Sequence, residues 1–161
     1  MGENTDAFLE CTVSDEAGTE RLAQALGTRL AVGDVVLLSG TLGAGKTAFS
    51  RALIRAVSGD PTLIVASPTF TFSQIYTTPD LLLIHFDLYR MGESEEVFDL
   101  GWDDALADGA TLVEWPERLG PLAPSTALTM SIELDPSGET GRRFTLSGDA
   151  AWAARWVGFS L

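Results

Sequence analysis

Eight consecutive residues have the types and spacing of a phosphate-binding loop. Residues 40–47 read GTLGAGKT and match G-x-x-x-x-G-K-[ST], in which glycines let successive backbone N–H groups converge on a phosphate. Lys46, the only lysine among the 161 residues, would reach the β- and γ-phosphates, and the Thr47 hydroxyl would ligate Mg²⁺. The motif therefore predicts a site for a nucleotide and Mg²⁺.

Two acids that end apolar segments could complete such a site. Asp87 follows residues 81–86 and Glu114 follows residues 111–113. Parallel strands beside a nucleotide deliver their C-terminal residues to one crevice, so either acid could hold Mg²⁺ or orient water. Acids at strand ends also serve as solvated or helix-capping groups, so the residues alone leave both roles open. The lone His85 has no cysteine or acid pattern around it and is interpreted as structural.

The charge balance limits what the chain can bind. Ten basic and 23 acidic residues give a formal net charge of −13, which argues against nucleic acid binding by this chain alone. A nucleotide must therefore be attracted locally, by Lys46, a helix N-terminus and Mg²⁺, and we expect strict Mg²⁺ dependence. The acidic stretch 93–104 is either a solvated face or a surface that docks on a basic partner.

The sequence favours a cytoplasmic protein that has no contact with a membrane. The single Cys11 excludes an internal disulfide, and residues 1–6 lack the basic and apolar regions of a secretion signal. No apolar run approaches the 18 residues of a membrane-spanning helix. Without repeats or a long linker, residues 1–161 are predicted to form one domain.

The functional residues need a sheet that brings strand ends to one edge. Ser14 is expected to cap a helix with Leu22, Leu26 and Leu30 on its apolar face. Further helices are predicted at 47–57, in two pieces between 94 and 107, and at 150–157, where Trp152 and Trp156 are expected in the core. Apolar or alternating stretches that suit strands lie at 8–13, 34–39, 64–66, 69–76, 81–87, 110–114, 128–134 and 144–147.

Two turns in this series predict hairpins. Residues 77–80 separate one pair of strands and residues 136–139 separate another. The resulting fold class is α/β, a three-layer sheet like that of P-loop NTPases, parallel at its centre and with antiparallel hairpins toward its edges.

Four motifs in this order resemble the TsaE family, formerly called YjeE. They are the loop at 40–47, Ser-Pro-Thr-Phe at 67–70, His-Phe-Asp-Leu-Tyr-Arg at 85–90 and Leu-Val-Glu-Trp-Pro at 112–116. They fall within residues 14–147, and the tail after Asp149 lies outside the resemblance. The resemblance implies a small bacterial ATPase of tRNA threonylcarbamoyladenosine (t6A) biosynthesis. Such proteins are weak ATPases alone and act with TsaD and TsaB, which make t6A at position 37, so this chain would meet tRNA only through that complex.

The resemblance also implies roles for particular residues. Lys46, Glu114 and Asp87 would support hydrolysis, and Thr47 and Glu114 would contact Mg²⁺. Residues 67–70 would behave as a switch-like segment, and residues 14–16 would approach the base. Whether Arg142 or its neighbour Arg143 contacts the nucleotide stays open. The implied ATP contacts are Leu42, Gly43, Ala44, Gly45, Lys46, Thr47, Thr69, Trp115 and Arg142.

Three other functions would also use a phosphate-binding loop. A GTPase would need an Asn/Thr-Lys-x-Asp motif, which a chain with Lys46 as its only lysine cannot contain. A small-molecule kinase would need a lid with several arginines, and Arg118, Arg142 and Arg143 are sparse for that role. A nucleotide-sensing regulatory subunit would not need both Asp87 and Glu114. The kinase and the sensing subunit remain the alternatives to an ATPase.

Overall fold

Seven strands form one mixed sheet in the computed structural model, which describes residues 6–161. The sheet order is β1-β7-β6-β2-β5-β4-β3. Strands β6, β2, β5 and β4 run parallel at the centre, and the β1–β7, β7–β6 and β4–β3 pairs are antiparallel. The predicted fold class is thereby confirmed. The strands are β1 Ala7–Val13, β2 Val35–Ser39, β3 Ser73–Thr77, β4 Leu82–Asp87, β5 Ala110–Glu114, β6 Leu128–Leu134 and β7 Arg142–Ser147.

Helices cover both faces of this sheet. One face carries α1, α2 and α4, and the other carries α3 with two 3₁₀ segments, at Ser94–Leu100 and Pro116–Leu122. Trp152 and Trp156 are buried against the first face, as predicted. The helices are α1 Glu16–Gly27, α2 Lys46–Ser58, α3 Trp102–Asp108 and α4 Ala150–Arg155.

The central strands are apolar because both of their faces are covered. On β2, Val36 and Leu38 pack in the core under α1 and α2, whereas Val35 and Leu37 pack in the core under α3. A strand buried on both sides reads as a continuous apolar run, which is the pattern of a parallel sheet covered by two helical layers. This burial fixes the position of the loop that follows the C-terminal end of β2.

The cap of α1 lies one residue later than predicted. Asp15, not Ser14, accepts a hydrogen bond from the Gly18 N–H at 3.0 Å. The Ser14 carbonyl accepts a hydrogen bond from the Thr140 hydroxyl at 2.6 Å, which ties this residue to the β6–β7 turn. Helix α1 therefore begins after the residue that makes this hydrogen bond.

The predicted strand at 69–76 is too long at its start. The chain turns at residues 68–72, where Phe72 has φ 67° and its N–H donates to the Pro68 carbonyl at 2.7 Å. Strand β3 then begins at Ser73. The apolar stretch 64–66 forms no strand, and Ile64 is 88% exposed. The two predicted hairpins are present as β3–β4 and β6–β7.

The helices bear on the prediction that the chain does not cross a membrane. Within residues 6–161, every helix is too short or too polar to span a membrane. Residues 1–5, on which the prediction of no secretion signal mainly rests, lie outside the described residues.

Candidate functional site

The phosphate-binding motif forms the connection between β2 and α2. Gly43 and Gly45 have φ values of 82° and 115°, which L side chains rarely adopt. The loop is closed by a hydrogen bond from the Ala44 N–H to the Thr41 carbonyl at 3.0 Å, and α2 begins directly after Gly45. The motif's backbone thus lies at the positive end of a 13-residue helix, where an anion is stabilised.

Lys46 lies against this loop rather than in solvent. Its ammonium donates to the Gly40 carbonyl and, at 3.0 Å, to the Thr41 carbonyl. The same Nζ lies 3.9 Å from the centre of the Trp115 ring, within the range of a cation–π interaction. The residue is 5% exposed, and it lines the cavity at the N-terminus of α2.

Two opposing effects act on the Lys46 charge. Burial lowers its pKa below the usual value for lysine, because a desolvated ammonium is disfavoured. The carboxylates of Glu114, Glu117 and Asp87 act in the opposite direction but do not fully compensate. An anionic phosphate would add to their effect and stabilise the ammonium.

Glu114 joins three elements at the sheet edge. It ends β5 and is 1% exposed. One carboxylate oxygen, Oε1, accepts from the Thr47 hydroxyl at 3.2 Å, and the other, Oε2, lies 2.6 Å from His85 Nε2. The contact with His85 was not foreseen from the sequence. Its only signal was that His85 and Asp87 are two residues apart on one strand and therefore share a face.

Asp87 lies beside Glu114, at the end of the neighbouring parallel strand. Its Oδ2 accepts from the Thr69 hydroxyl at 3.0 Å and its Oδ1 accepts from the Tyr89 N–H at 3.1 Å. Ser67 and Thr69 share a further hydrogen bond of 2.8 Å between their hydroxyls. The segment 67–70 is therefore tied to this carboxylate. Its switch-like contact with a γ-phosphate stays a prediction.

The two adjacent arginines of β7 differ in position. Arg142 donates from Nε to the Ala44 carbonyl at 2.9 Å, so its side chain lies on the phosphate-binding loop. Arg143 lies opposite Thr12 and Glu133 in the sheet register and does not line the cavity beside that loop. The geometry thus favours Arg142 over Arg143 as the residue that could contact a nucleotide.

One cavity of about 440 Å³ brings these side chains together. Ala48 and Tyr89 were not named from the sequence, although Tyr89 packs on Trp115 with ring centres 4.9 Å apart. Ala44, which was named as an ATP contact, is 1% exposed and does not line this cavity. The lining residues are Leu42, Gly43, Gly45, Lys46, Thr47, Ala48, Thr69, Asp87, Tyr89, Glu114, Trp115 and Arg142.

A larger groove, of about 720 Å³, runs between α1 and α2. It contains neither the phosphate-binding glycines nor the acids at the strand ends. Glu16, from the segment expected to approach a base, lines this groove and not the smaller cavity. We assign the chemistry to the smaller cavity because it combines the phosphate-binding loop and Lys46 with the carboxylates of Asp87 and Glu114.

The oxygen donors of this cavity suit Mg²⁺ better than a softer metal. The Thr47 hydroxyl and the carboxylates of Glu114 and Asp87 are hard ligands, which Mg²⁺ prefers. Across residues 6–161, no group of three or more His, Cys, Asp or Glu side chains could hold a metal by itself. In proteins Mg²⁺ commonly takes one or two carboxylate ligands and completes its octahedral shell with water and phosphate oxygens.

Comparison with known proteins identifies similar chains. Residues 13–144 match the family described as threonylcarbamoyl adenosine biosynthesis protein TsaE. The chain is 38% identical over 122 residues to the tRNA threonylcarbamoyladenosine biosynthesis protein TsaE of Rickettsia bellii, covering 76% of this chain and 84% of that one. The protein of the same name from Aquifex aeolicus is 39% identical over 113 residues, covering 70% and 80% of the two chains. The crystal structure of Bacillus subtilis YdiB superposes with a TM-score of 0.71 at 29% identity, covering 91% of this chain and 88% of that one.

Proposed function

The chain belongs to the TsaE family, and from that membership and the site geometry we propose that it is a Mg²⁺-dependent ATPase that supports t6A formation in tRNA. In this proposal it does not transfer the threonylcarbamoyl group. Its ATP cycle resets or regulates the TsaD–TsaB complex, which acts on the tRNA. The protein works in the cytoplasm and meets tRNA only through that complex.

One observation carries the ATPase part of this proposal. The ammonium of Lys46, the Thr47 hydroxyl and the carboxylates of Glu114 and Asp87 all line a single cavity at the N-terminus of α2. Binding of phosphate alone would need only the Lys46 ammonium and the Thr47 hydroxyl. Neighbouring carboxylates at the ends of β4 and β5 add the means to hold a metal and to orient water.

The residues would divide the work of hydrolysis as follows. The backbone N–H groups of residues 42–47 and the Lys46 ammonium bind the phosphates and stabilise the charge that builds up on them during transfer. Thr47 and Glu114 would hold Mg²⁺, which supplies additional positive charge beside the phosphates. Asp87 would orient the attacking water or hold a metal-bound water.

The proposed partners are TsaD and TsaB. The charged side chains of residues 93–104 are exposed on and around the 3₁₀ segment and α3, on the face of the sheet opposite α2. We retain the hypothesis that this acidic surface docks on a basic partner. Reversing the charges of Glu95 and Glu96 should then slow association with TsaD–TsaB at low salt. An unchanged association rate would leave the stretch as a solvated face.

The decisive test is reconstitution of multi-turnover t6A formation. Turnover should require this chain and ATP, and a non-hydrolysable ATP analogue should not sustain it. The Lys46→Ala variant is the matched control, because it removes the only side-chain ammonium and should abolish most nucleotide binding or turnover. Steady phosphate release without an acceptor separates an ATPase from a kinase. Full t6A turnover without this chain, or undiminished ATP turnover by the variant, would contradict the proposal.

A further inference from the structure

His85 and Glu114 form a buried polar pair under α2. Each residue is 1% exposed, and His85 Nε2 lies 2.6 Å from Glu114 Oε2. A carboxylate accepts hydrogen bonds, so Nε2 carries the hydrogen and donates it. The short distance is typical of a bond to a charged acceptor.

Within residues 6–161, His85 makes no second side-chain hydrogen bond through its other ring nitrogen, Nδ1. His85 Nδ1 is buried and has no hydrogen-bond partner among the described residues. An unpaired buried acceptor is costly, so an apolar side chain would serve better if the position only filled space. The ring therefore makes one hydrogen bond, and that bond ends on Glu114.

This bond fixes which way the Glu114 carboxylate faces. The terminal torsion of a glutamate is broad and roughly two-fold, so a free carboxylate has no single orientation. Here His85 holds Oε2, and Oε1 lies beside the Thr47 hydroxyl at 3.2 Å. Thr47 and Glu114 are the residues that the proposed function assigns to Mg²⁺, and Oε1 is the Glu114 oxygen on the side of Thr47.

We propose that His85 is a positioning residue for the metal site, which holds Glu114 so that Oε1 and the Thr47 hydroxyl meet the same ion. The inference rests on the proposed function and adds to it a residue that does not touch nucleotide or metal. Strand pairing supports the assignment, because His85 lies on the same face of β4 as Asp87, whose neighbour in the register is Glu114. One strand thus supplies both an acid of the site and the support for the other acid.

The test is a Mg²⁺ titration of nucleotide binding by His85 variants. A fluorescent ADP is bound in excess EDTA and then at increasing Mg²⁺, and phosphate release from ATP is measured over the same series. His85→Leu removes the donor and keeps an apolar side chain, whereas His85→Gln keeps an N–H at about the position of Nε2. Loss of an outer partner typically lowers metal affinity about 10- to 100-fold.

We expect His85→Leu to raise the Mg²⁺ concentration for half-maximal binding and hydrolysis by a factor in that range. Its metal-free affinity for ADP should not change, and His85→Gln should restore most of the Mg²⁺ affinity. Glu114→Ala, which removes the carboxylate itself, gives the upper limit of the effect. If His85→Leu does not fold, His85→Asn replaces it, because its amide is too short to reach Glu114.

Thr111→Val is the matched control for a change in a buried polar group. Its hydroxyl is also buried and has no hydrogen-bond partner within residues 6–161. Thr111 lies three residues before Glu114 on the same strand, and therefore on the opposite face of the sheet. It should leave the Mg²⁺ requirement unchanged. An equal shift in this control would show a general disturbance of the strand and overturn the inference.

The remaining outcomes separate this inference from the proposed function. Unmodified protein that binds ADP without any effect of Mg²⁺ would contradict the proposed function and the inference together. Normal Mg²⁺ dependence in the unmodified protein, with the same requirement in the variant that lacks the donor, would overturn the inference alone. Equal losses of metal-free and Mg²⁺-dependent binding would likewise overturn it, because they would make His85 merely structural.

Discussion

Replacing Arg142 with alanine tests how the β6–β7 hairpin supports the phosphate-binding loop. The guanidinium donates from Nε to the Ala44 carbonyl at 2.9 Å, linking residues 98 positions apart in the chain. It also donates from Nη1 to the Gly141 carbonyl at 2.9 Å. A Cβ added at Gly45 would lie 3.5 Å from Arg142 Nε, so the side chain lies directly against the loop.

The size of the effect follows from these contacts. A hydrogen bond to a charged group contributes about 1.5–3 kcal/mol, and Arg142 is only half-buried, so the lower part of that range applies. Because the nucleotide is expected to bind the loop conformation that this bond holds, a loss of about 1.5–2 kcal/mol sets an upper limit of about 10- to 30-fold on the decrease in affinity. The loop would lose its link to β7, and the cavity would lose one of the cations that line it.

Arg143→Ala is the matched control, because it removes the same charge one residue away. Arg143 does not line the cavity, and as the next residue on the same strand it lies on the opposite face of the sheet from Arg142. Affinity of both variants is measured with a fluorescent ADP in EDTA and in Mg²⁺, and thermal unfolding checks their stability. Equal losses of ADP affinity in both variants would show that the effect depends only on net charge. Unchanged affinity of Arg142→Ala would refute the reasoning outright.

Local spacing made part of this site predictable. Residues 40–47 carry their own conformation, because glycines at 43 and 45 suit the positive φ values that the loop adopts and the helix begins at once. Asp87 and Glu114 were found because each follows an apolar run that forms a buried strand. In each case a few neighbouring residues carry the signal. Their functional roles stay predictions.

Strand order accounts for one contact that sequence reasoning missed. The contact between His85 and Glu114 depends on β4 and β5 being adjacent and parallel in a fixed register, and these residues are 29 positions apart. No local pattern specifies that pairing. The turn before β3 was missed for a different reason: its aromatic and threonine residues alternate as in a strand, yet Phe72 adopts a positive φ that such residues rarely take.

Two further predictions concern the support and the charge of the site. Asp34→Ala should lower the free energy of unfolding by about 1–2 kcal/mol, because it removes the partly buried ion pair with Arg155 at 2.6 Å. Nucleotide affinity should not change, because neither residue lines the cavity. Denaturant unfolding measures the free energy of unfolding. A fall in nucleotide affinity would contradict the prediction and show that α4, which carries Arg155, supports the site. The second prediction follows from the lowered pKa of Lys46. Below that pKa the ammonium is charged and binding is at full strength, and as pH rises through it the affinity for ADP should fall. The fall should begin at a lower pH than an unperturbed lysine would give. Lys46→Arg keeps its charge throughout, so its affinity should not depend on pH in this range. Titration of ADP binding in EDTA from neutral to alkaline pH checks this, and parallel curves for the two proteins would show that another group causes the loss.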